Sequence, residues 1–164
     1  MNSKKNSTRF CFLPGFFPRG QPSGIQSGLS GKSDGKELAL CLDDDPLSLR
    51  LVEHLLKQRY NVISCLNVDR AIAAVEREQI NVFLCDYHLG QDFTGAQAYD
   101  LLRLEHGYLP LHRILITSYP SPEIEAETLA SGFDRVFAKP LRKEFQSYCL
   151  GLSRSRFDRG LRTG

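Results

Sequence analysis

The sequence predicts an α/β fold, a doubly wound parallel sheet of five strands with helices on both faces. Three observations carry that prediction. Between residues 37 and 150, short apolar runs alternate with amphipathic stretches, and five such βα units can be counted. The runs are continuously apolar rather than alternating, as strands covered on both faces must be. Glycines follow the fourth and fifth helical stretches, at Gly132 and Gly151, where helices prefer to end.

Taken in order, the first strand is ELALCL, residues 37–42. Pro46, a favourable residue for a first helical turn, opens the first helix, which sets Leu47, Leu51, Leu55 and Leu56 on one face. NVISC (61–65) is the second strand, and a helix from about Val68 to Glu76 follows. NVFLC (81–85) is the third, leading to a helix from Ala96 to Glu105. RILIT (113–117) precedes a helix from Pro122 to Ala130, and RVFA (135–138) precedes one from Arg142 to Leu150. Right-handed crossovers between such units make a flavodoxin-like sheet, strand order 2-1-3-4-5, the simplest topology.

A chain of 164 residues has room for one ordinary domain, and 41% hydrophobic with 24% charged residues is the balance of a globular protein. No apolar run reaches the roughly 20 residues that cross a bilayer, so membrane insertion is not expected. The stretch Phe10–Phe17 behind Lys4, Lys5 and Arg9 imitates an export signal, but Pro14 and Gly15 break it and no Ala-x-Ala site follows. The cysteines, at 11, 41, 65, 85 and 149, form no C-x-x-C pair, and three of them sit inside strand runs. They read as small buried hydrophobes of a reducing, cytoplasmic setting. The histidines lack zinc-site spacing.

Residues 1–36, with six Gly, six Ser and three Pro, read as a disordered extension, and residues 151–164 as a basic flexible tail. These flanks carry +5 and +3 of a whole-chain charge of +2, which leaves −6 on residues 37–150. An acidic folded part without a helix-turn-helix signal argues against nucleic acid as a partner.

Ligands of open parallel sheets bind beyond the carboxyl ends of the strands. Here the first strand runs into Asp43, Asp44 and Asp45, the third into Asp86, the fourth into Thr117 and Ser118, and the fifth into Lys139 and Pro140. Carboxylates gathered at one point need a compensating cation to stay ionised. Mg²⁺, a hard ion that keeps several waters and favours oxygen, suits two or three carboxylates plus a phosphate oxygen. Lys139 supplies a point charge for another phosphate oxygen, and the Thr117 hydroxyl can donate to a third. Within that setting the Asp86 carboxylate can attack a phosphoryl group in line and become an acyl phosphate. Singly, each residue has a plainer role as helix cap, strand end or loop lysine. All four loaded ends on one sheet edge favour the chemical reading.

The segments LCLDDDP, FLCDYHL, ILITS and FAKPL, in that order, resemble the receiver domains of bacterial response regulators, over residues 37–150. Asp86 lies 42 residues beyond Asp44, and Lys139 lies 22 beyond Thr117, as in that family. The resemblance implies that Asp43 and Asp44 form the acidic Mg²⁺ pocket, completed by Asp86 and the backbone carbonyl of His88. It implies phosphorylation of Asp86, sensing by Thr117 and pairing of Lys139 with the phosphate, while Asp45 falls to helix capping or a place behind the ligands. A sensor histidine kinase or a histidine phosphotransfer protein is the implied donor, and DYHL looks like receivers of hybrid kinases. Such a domain promotes its own phosphorylation and dephosphorylation and is not otherwise an enzyme.

Departures from the family pattern bear on output. Val136 stands three residues before the lysine, where receivers usually carry Tyr or Phe as a rotating switch, and Phe137 is next to it. Gly90 stands where Pro is frequent, and Gly95 lies one residue further from Asp86 than usual, so the loop after the third strand is expected to differ in shape. By resemblance, His88 and Tyr119 tune attack of water on the acyl phosphate. The fourteen residues after the fifth helix are too few for an output module, so output is expected by protein contact, through a downstream target or a homodimer on the face of helix 4, strand 5 and helix 5.

Two other readings compete. A pseudo-receiver would keep the fold as an interaction surface without phosphorylation. A phosphatase of the haloacid dehalogenase type would use Asp43 as nucleophile and Asp45 as acid, but it needs a later acidic pair, where only Glu144 and Asp158 stand, and it leaves Asp86 idle.

Overall fold

A computed structural model describes residues 35–90 and 93–152. The readings of residues 1–36 as an extension and of 151–164 as a tail fall almost wholly outside the described residues, as does Cys11. The elements run β1 (Glu37–Leu42), α1 (Pro46–Leu56), β2 (Tyr60–Cys65), α2 (Val68–Val75), β3 (Val82–Asp86), β4 (His88–Leu89), β5 (Phe93–Thr94), α3 (Gly95–His106), β6 (His112–Thr117), α4 (Pro122–Ala130), β7 (Arg135–Ala138) and α5 (Lys143–Leu150).

Five strands form one parallel sheet in the order β2-β1-β3-β6-β7, and β4 and β5 form a separate antiparallel ribbon. Since β6 and β7 are the fourth and fifth strands expected from sequence, the order is the flavodoxin-like one. The ribbon was not expected. Its first strand is followed by Gly90, whose φ of 71° is open to glycine at no steric cost.

The side-chain period of a strand sorts the core into two layers. Ala39, Cys41, Leu84 and Ile116 face α1 and α5, packing against Val52, Leu56 and Phe145. Leu40, Leu42, Phe83 and Leu115 face the other way, toward Ala71, Tyr99 and Leu102 of α2 and α3. Phe83 is the hub of that layer, with ring centroids 5.8 Å from both Tyr99 and Tyr108 and 6.1 Å from Phe133. Cys41, Cys65, Cys85 and Cys149 are buried free thiols, as read from sequence, and burial pushes Cys65 up to about 11 and Cys149 up to about 12. Among the described residues, no helix is long and apolar enough to cross a membrane.

The caps explain where the helices start. Asp45 accepts from the backbone amides of Leu47 and Ser48, which opens α1. Thr94 and Gln97 make a reciprocal capping box at α3, and Ser121 accepts from Ile124 at α4. One expectation for α1 is corrected. Its covered stripe is Leu49, Val52 and Leu56, whereas Leu47 and Leu51 are 73% and 42% exposed. Leu occupies three sides of this helix, so spacing alone did not say which stripe the sheet covers.

Candidate functional site

Strand register brings the chemistry together. Leu42 pairs with Cys85, so the next residues, Asp43 and Asp86, stand side by side at the ends of β1 and β3. Asp86 pairs with Ile116, which puts Thr117 one residue further at the end of β6. Thr117 pairs with Ala138, which puts Lys139 just beyond β7. The Lys139 amide donates to the Thr117 carbonyl (2.8 Å), which holds the base of its side chain at this edge, and the Lys139–Pro140 bond is cis.

Asp43 is buried. Its Oδ1 accepts from the Asp45 amide (2.9 Å), and its Oδ2 accepts from Lys139 Nζ (2.8 Å). Asp86, 6% exposed, accepts the His88 amide at Oδ2 (3.0 Å). Lys139 Nζ also lies 2.7 Å from Asp86 Oδ1 as an ion pair, off the alignment of a hydrogen bond, so this buried oxygen lacks a well-directed donor. One ammonium is thus shared by two carboxylates. Asp44 is the exposed third acid, and Gly90 faces it: a Cβ placed on that glycine would lie 4.0 Å from Asp44 Oδ2. Oxygens of Asp43, Asp44 and Asp86 all come within 4.8 Å of one another.

Electrostatics follow from this crowding. Burial raises the Asp86 carboxyl above the usual range, the Asp43 charge adds to the rise, and Lys139 opposes it. Burial disfavours the Lys139 ammonium, but its hydrogen bond to Asp43 and its ion pair with Asp86 outweigh burial and hold it above its ordinary value. The set of hard oxygen donors, the excess of negative charge and the undirected Asp86 Oδ1 fit a small divalent cation such as Mg²⁺.

Thr117 is wholly buried, and its Oγ1 accepts from the Tyr119 amide (3.2 Å). The side chains of His88 and Tyr119 meet over the mouth, edge to face, with centroids 5.9 Å apart, and Tyr87 meets His88 at 4.8 Å. Gly95 packs the start of α3 onto the end of β3 so closely that a Cβ there would lie 2.4 Å from the Asp86 carbonyl oxygen. Beside the site, a cavity of about 270 Å³ opens between α1 and the segment Lys139–Leu141, and Leu47, Leu51 and Pro140 contribute to its lining.

The structure thus brings Asp43, Asp44, Asp86, Thr117, Lys139 and His88 to one sheet edge. It turns Asp45 away into the α1 cap, where bonds from Leu47 and Ser48 hold its carboxyl below the ordinary range. Val136 packs partly buried in the Phe83 layer, whereas Phe137 lies in the opposite layer against Phe145 and Tyr148, each at 5.3 Å. Neighbouring strand residues face opposite ways, so Phe137 cannot replace an aromatic at position 136. Tyr87 escaped the sequence reading. Its hydroxyl reaches Glu127 on α4 (3.0 Å), a pairing across 40 residues that no local pattern signals.

The sequence pattern of the response regulator receiver domain matches residues 39–145. The chain belongs to that family. Among solved structures, this receiver domain is similar to the chemotaxis protein CheY4 of Vibrio cholerae, at 23% identity and TM-score 0.63 over 70% of this chain and 96% of that one. A CheY-like receiver domain protein from Methanospirillum hungatei JF-1 is 25% identical, with TM-score 0.59 over 70% and 90%. A Burkholderia pseudomallei response regulator, solved with a phosphorylated aspartic acid, calcium ion and citrate, is 21% identical, with TM-score 0.61 over 76% and 71%. Curated proteins give no significant match.

Proposed function

We propose that this receiver domain accepts a phosphoryl group on Asp86 from a phosphohistidine, carried by a sensor histidine kinase or a histidine phosphotransfer protein, and signals by protein contact. The observation that carries this reading is the Lys139 ammonium held between the Asp43 and Asp86 carboxylates, one strand from the Thr117 hydroxyl. A carboxylate oxygen of Asp86 attacks phosphorus in line as the P–N bond to the donor histidine breaks, and the electron pair leaves with the imidazole nitrogen. Lys139 turns from Asp86 toward the phosphoryl oxygens, and Thr117 exchanges acceptance from Tyr119 for donation to the phosphate. Asp43, Asp44, Asp86 and the His88 carbonyl would hold Mg²⁺, which when bound neutralises charge on the transferring group. The Burkholderia relative, with its phosphorylated aspartic acid and calcium ion, supports this assignment by likeness.

The apolar lining of the adjacent cavity, with Leu47 and Leu51 unusually exposed, suits a donor histidine presented on an amphipathic helix. Output runs through the face of α4, β7 and α5, toward a target or a second copy. Tyr119, 73% exposed at the mouth, slows attack of water on the acyl phosphate, and Tyr119→Ala shortens its lifetime; an unchanged lifetime removes that role. The haloacid dehalogenase reading is disfavoured because Asp45, its general acid, is turned into the α1 cap, where it accepts from the Leu47 and Ser48 amides.

Intact-mass measurement after incubation with Mg²⁺ and acetyl phosphate tests the proposal. One phosphate adduct on the wild type, lost in Asp86→Asn and in Asp43→Asn, is the expected result. A wild type that stays unmodified with both acetyl phosphate and a phosphohistidine donor favours the pseudo-receiver instead. Steady phosphate release that needs Asp43 but not Asp86 favours the phosphatase.

A further inference from the structure

The usual route from phosphate to output face in this family is closed here, because Val136 has no ring to rotate and Phe137 lies in the other layer. A different physical connection does join the acceptor loop to α4. Tyr87 directly follows Asp86. Its amide donates to the Ile116 carbonyl (2.7 Å), its carbonyl accepts from the Gly95 amide (2.8 Å), and its hydroxyl donates to Glu127 Oε2 (3.0 Å) on α4. The residue is therefore tied to both segments that border the acceptor, and its far end grips the helix of the output face. The phenol is held above its ordinary value, first by burial and then by its bond to Glu127, so it remains a donor throughout the physiological range.

Helix α4 is suited to respond. Of Pro122–Ala130, Thr128 is buried, with its Oγ1 lacking a hydrogen-bond partner, and Ile124 packs partly buried against the Phe83 layer. Glu123, Glu125 and Glu127 all face solvent. A helix anchored so sparingly shifts at small cost, and one charge-assisted bond is a sizeable part of what fixes it.

We infer that the Tyr87–Glu127 hydrogen bond is the relay between Asp86 and α4, holding α4 in the unphosphorylated protein and breaking when Asp86 carries phosphate. The reason lies in the donors around the acceptor. A phosphoryl group takes up the His88 amide, now on Asp86 Oδ2, and the Thr117 hydroxyl, now an acceptor from Tyr119. Both rearrangements displace residues adjacent to Tyr87 or to its partner Ile116, and the phenol, a long lever on that backbone, leaves Glu127. The inference rests on Asp86 being the acceptor.

Hydrogen exchange of amides 124–130 tests it, in wild type, Tyr87→Phe and Glu127→Ala, with and without Mg²⁺ and acetyl phosphate, and with intact mass read on the same samples. In the unmodified proteins, both variants are expected to exchange about fivefold faster than wild type in α4, the effect of losing one hydrogen bond worth about 1 kcal/mol. Phosphorylated wild type rises to the same rate, and the variants show no further rise. A wild type that carries the adduct while its α4 rate stays constant overturns the relay alone, as do variants that keep the full phosphate-dependent rise. Absence of an adduct on the wild type overturns the acceptor reading and the relay with it.

Discussion

The two edges of the sheet treat charge in opposite ways. At the amino edge, Arg59 bonds Glu37 through Nε (3.0 Å) and Nη2 (2.8 Å), donates to the carbonyls of Leu150, the last residue of α5, and of Leu152 beyond it, and lies over the Tyr60 ring. Arg113 likewise meets Asp134 through its backbone amide and its guanidinium, both at 2.8 Å. Each cation there has one carboxylate and directed hydrogen bonds. At the carboxyl edge, two carboxylates share one ammonium with a third carboxylate close by, and one buried oxygen has no directed donor. The amino edge is where complementary charges lock the first strand to the end of the last helix. The carboxyl edge keeps an electrostatic deficit, which under the proposed function a cation and a phosphoryl group would relieve, so the locked and the unbalanced charges stand at opposite ends of the same strands.

The largest expected effect tests the locked edge. Arg59→Ala removes both guanidinium bonds to the partly buried Glu37 and strips donors from two carbonyls, and it should cost about 3 kcal/mol in urea unfolding. A loss below about 0.5 kcal/mol would put Arg59 among ordinary surface ion pairs and erase the contrast. The next effect sharpens the reactive edge. Leu51→Glu places a charge on the apolar lining beside Lys139, and transfer from a phosphohistidine donor should fall about tenfold, or about 1.4 kcal/mol, while labelling by acetyl phosphate is unchanged. Equal loss with both donors would mean that the substitution damages the acceptor and not the docking of a partner.

Much of this was legible in the sequence, for identifiable reasons. Largely buried strands are continuous apolar runs, so β1 falls where ELALCL was read; RVFA marks β7 although only Phe137 is buried there, and Ser121–Pro122 with Gly132 frame α4 to the residue. The acidic triplet, Asp86, Thr117 and Lys139 were visible because parallel strands deliver the residues after their last apolar position to one edge. The exposed stripe of α1 was not legible, because six apolar residues wrap the helix and only the position of its neighbours decides which are covered. The β4–β5 ribbon has two residues per strand, too few to show a period. Tyr87–Glu127 depends on two side chains brought together by four intervening elements, which nothing local encodes.

The smallest effect, and the one that most directly tests the deficit, is Asp86→Asn in buffer free of divalent cations. Asp86 is nearly buried, raised by desolvation and by the Asp43 charge, and only partly compensated by a lysine that it shares. Replacing its charge by an amide of the same shape keeps an acceptor for the His88 amide and leaves Lys139 to Asp43. The variant should therefore be about 1 kcal/mol more stable than wild type, the gain expected when a functional site is relieved of its own repulsion. Adding Mg²⁺ should close that gap, since an ion that binds the folded wild type stabilises it by mass action and finds one carboxylate fewer in the variant. A variant less stable than wild type in both buffers would show that Lys139 already balances the edge, and the difference between the two ends of the sheet would then be one of exposure and not of charge.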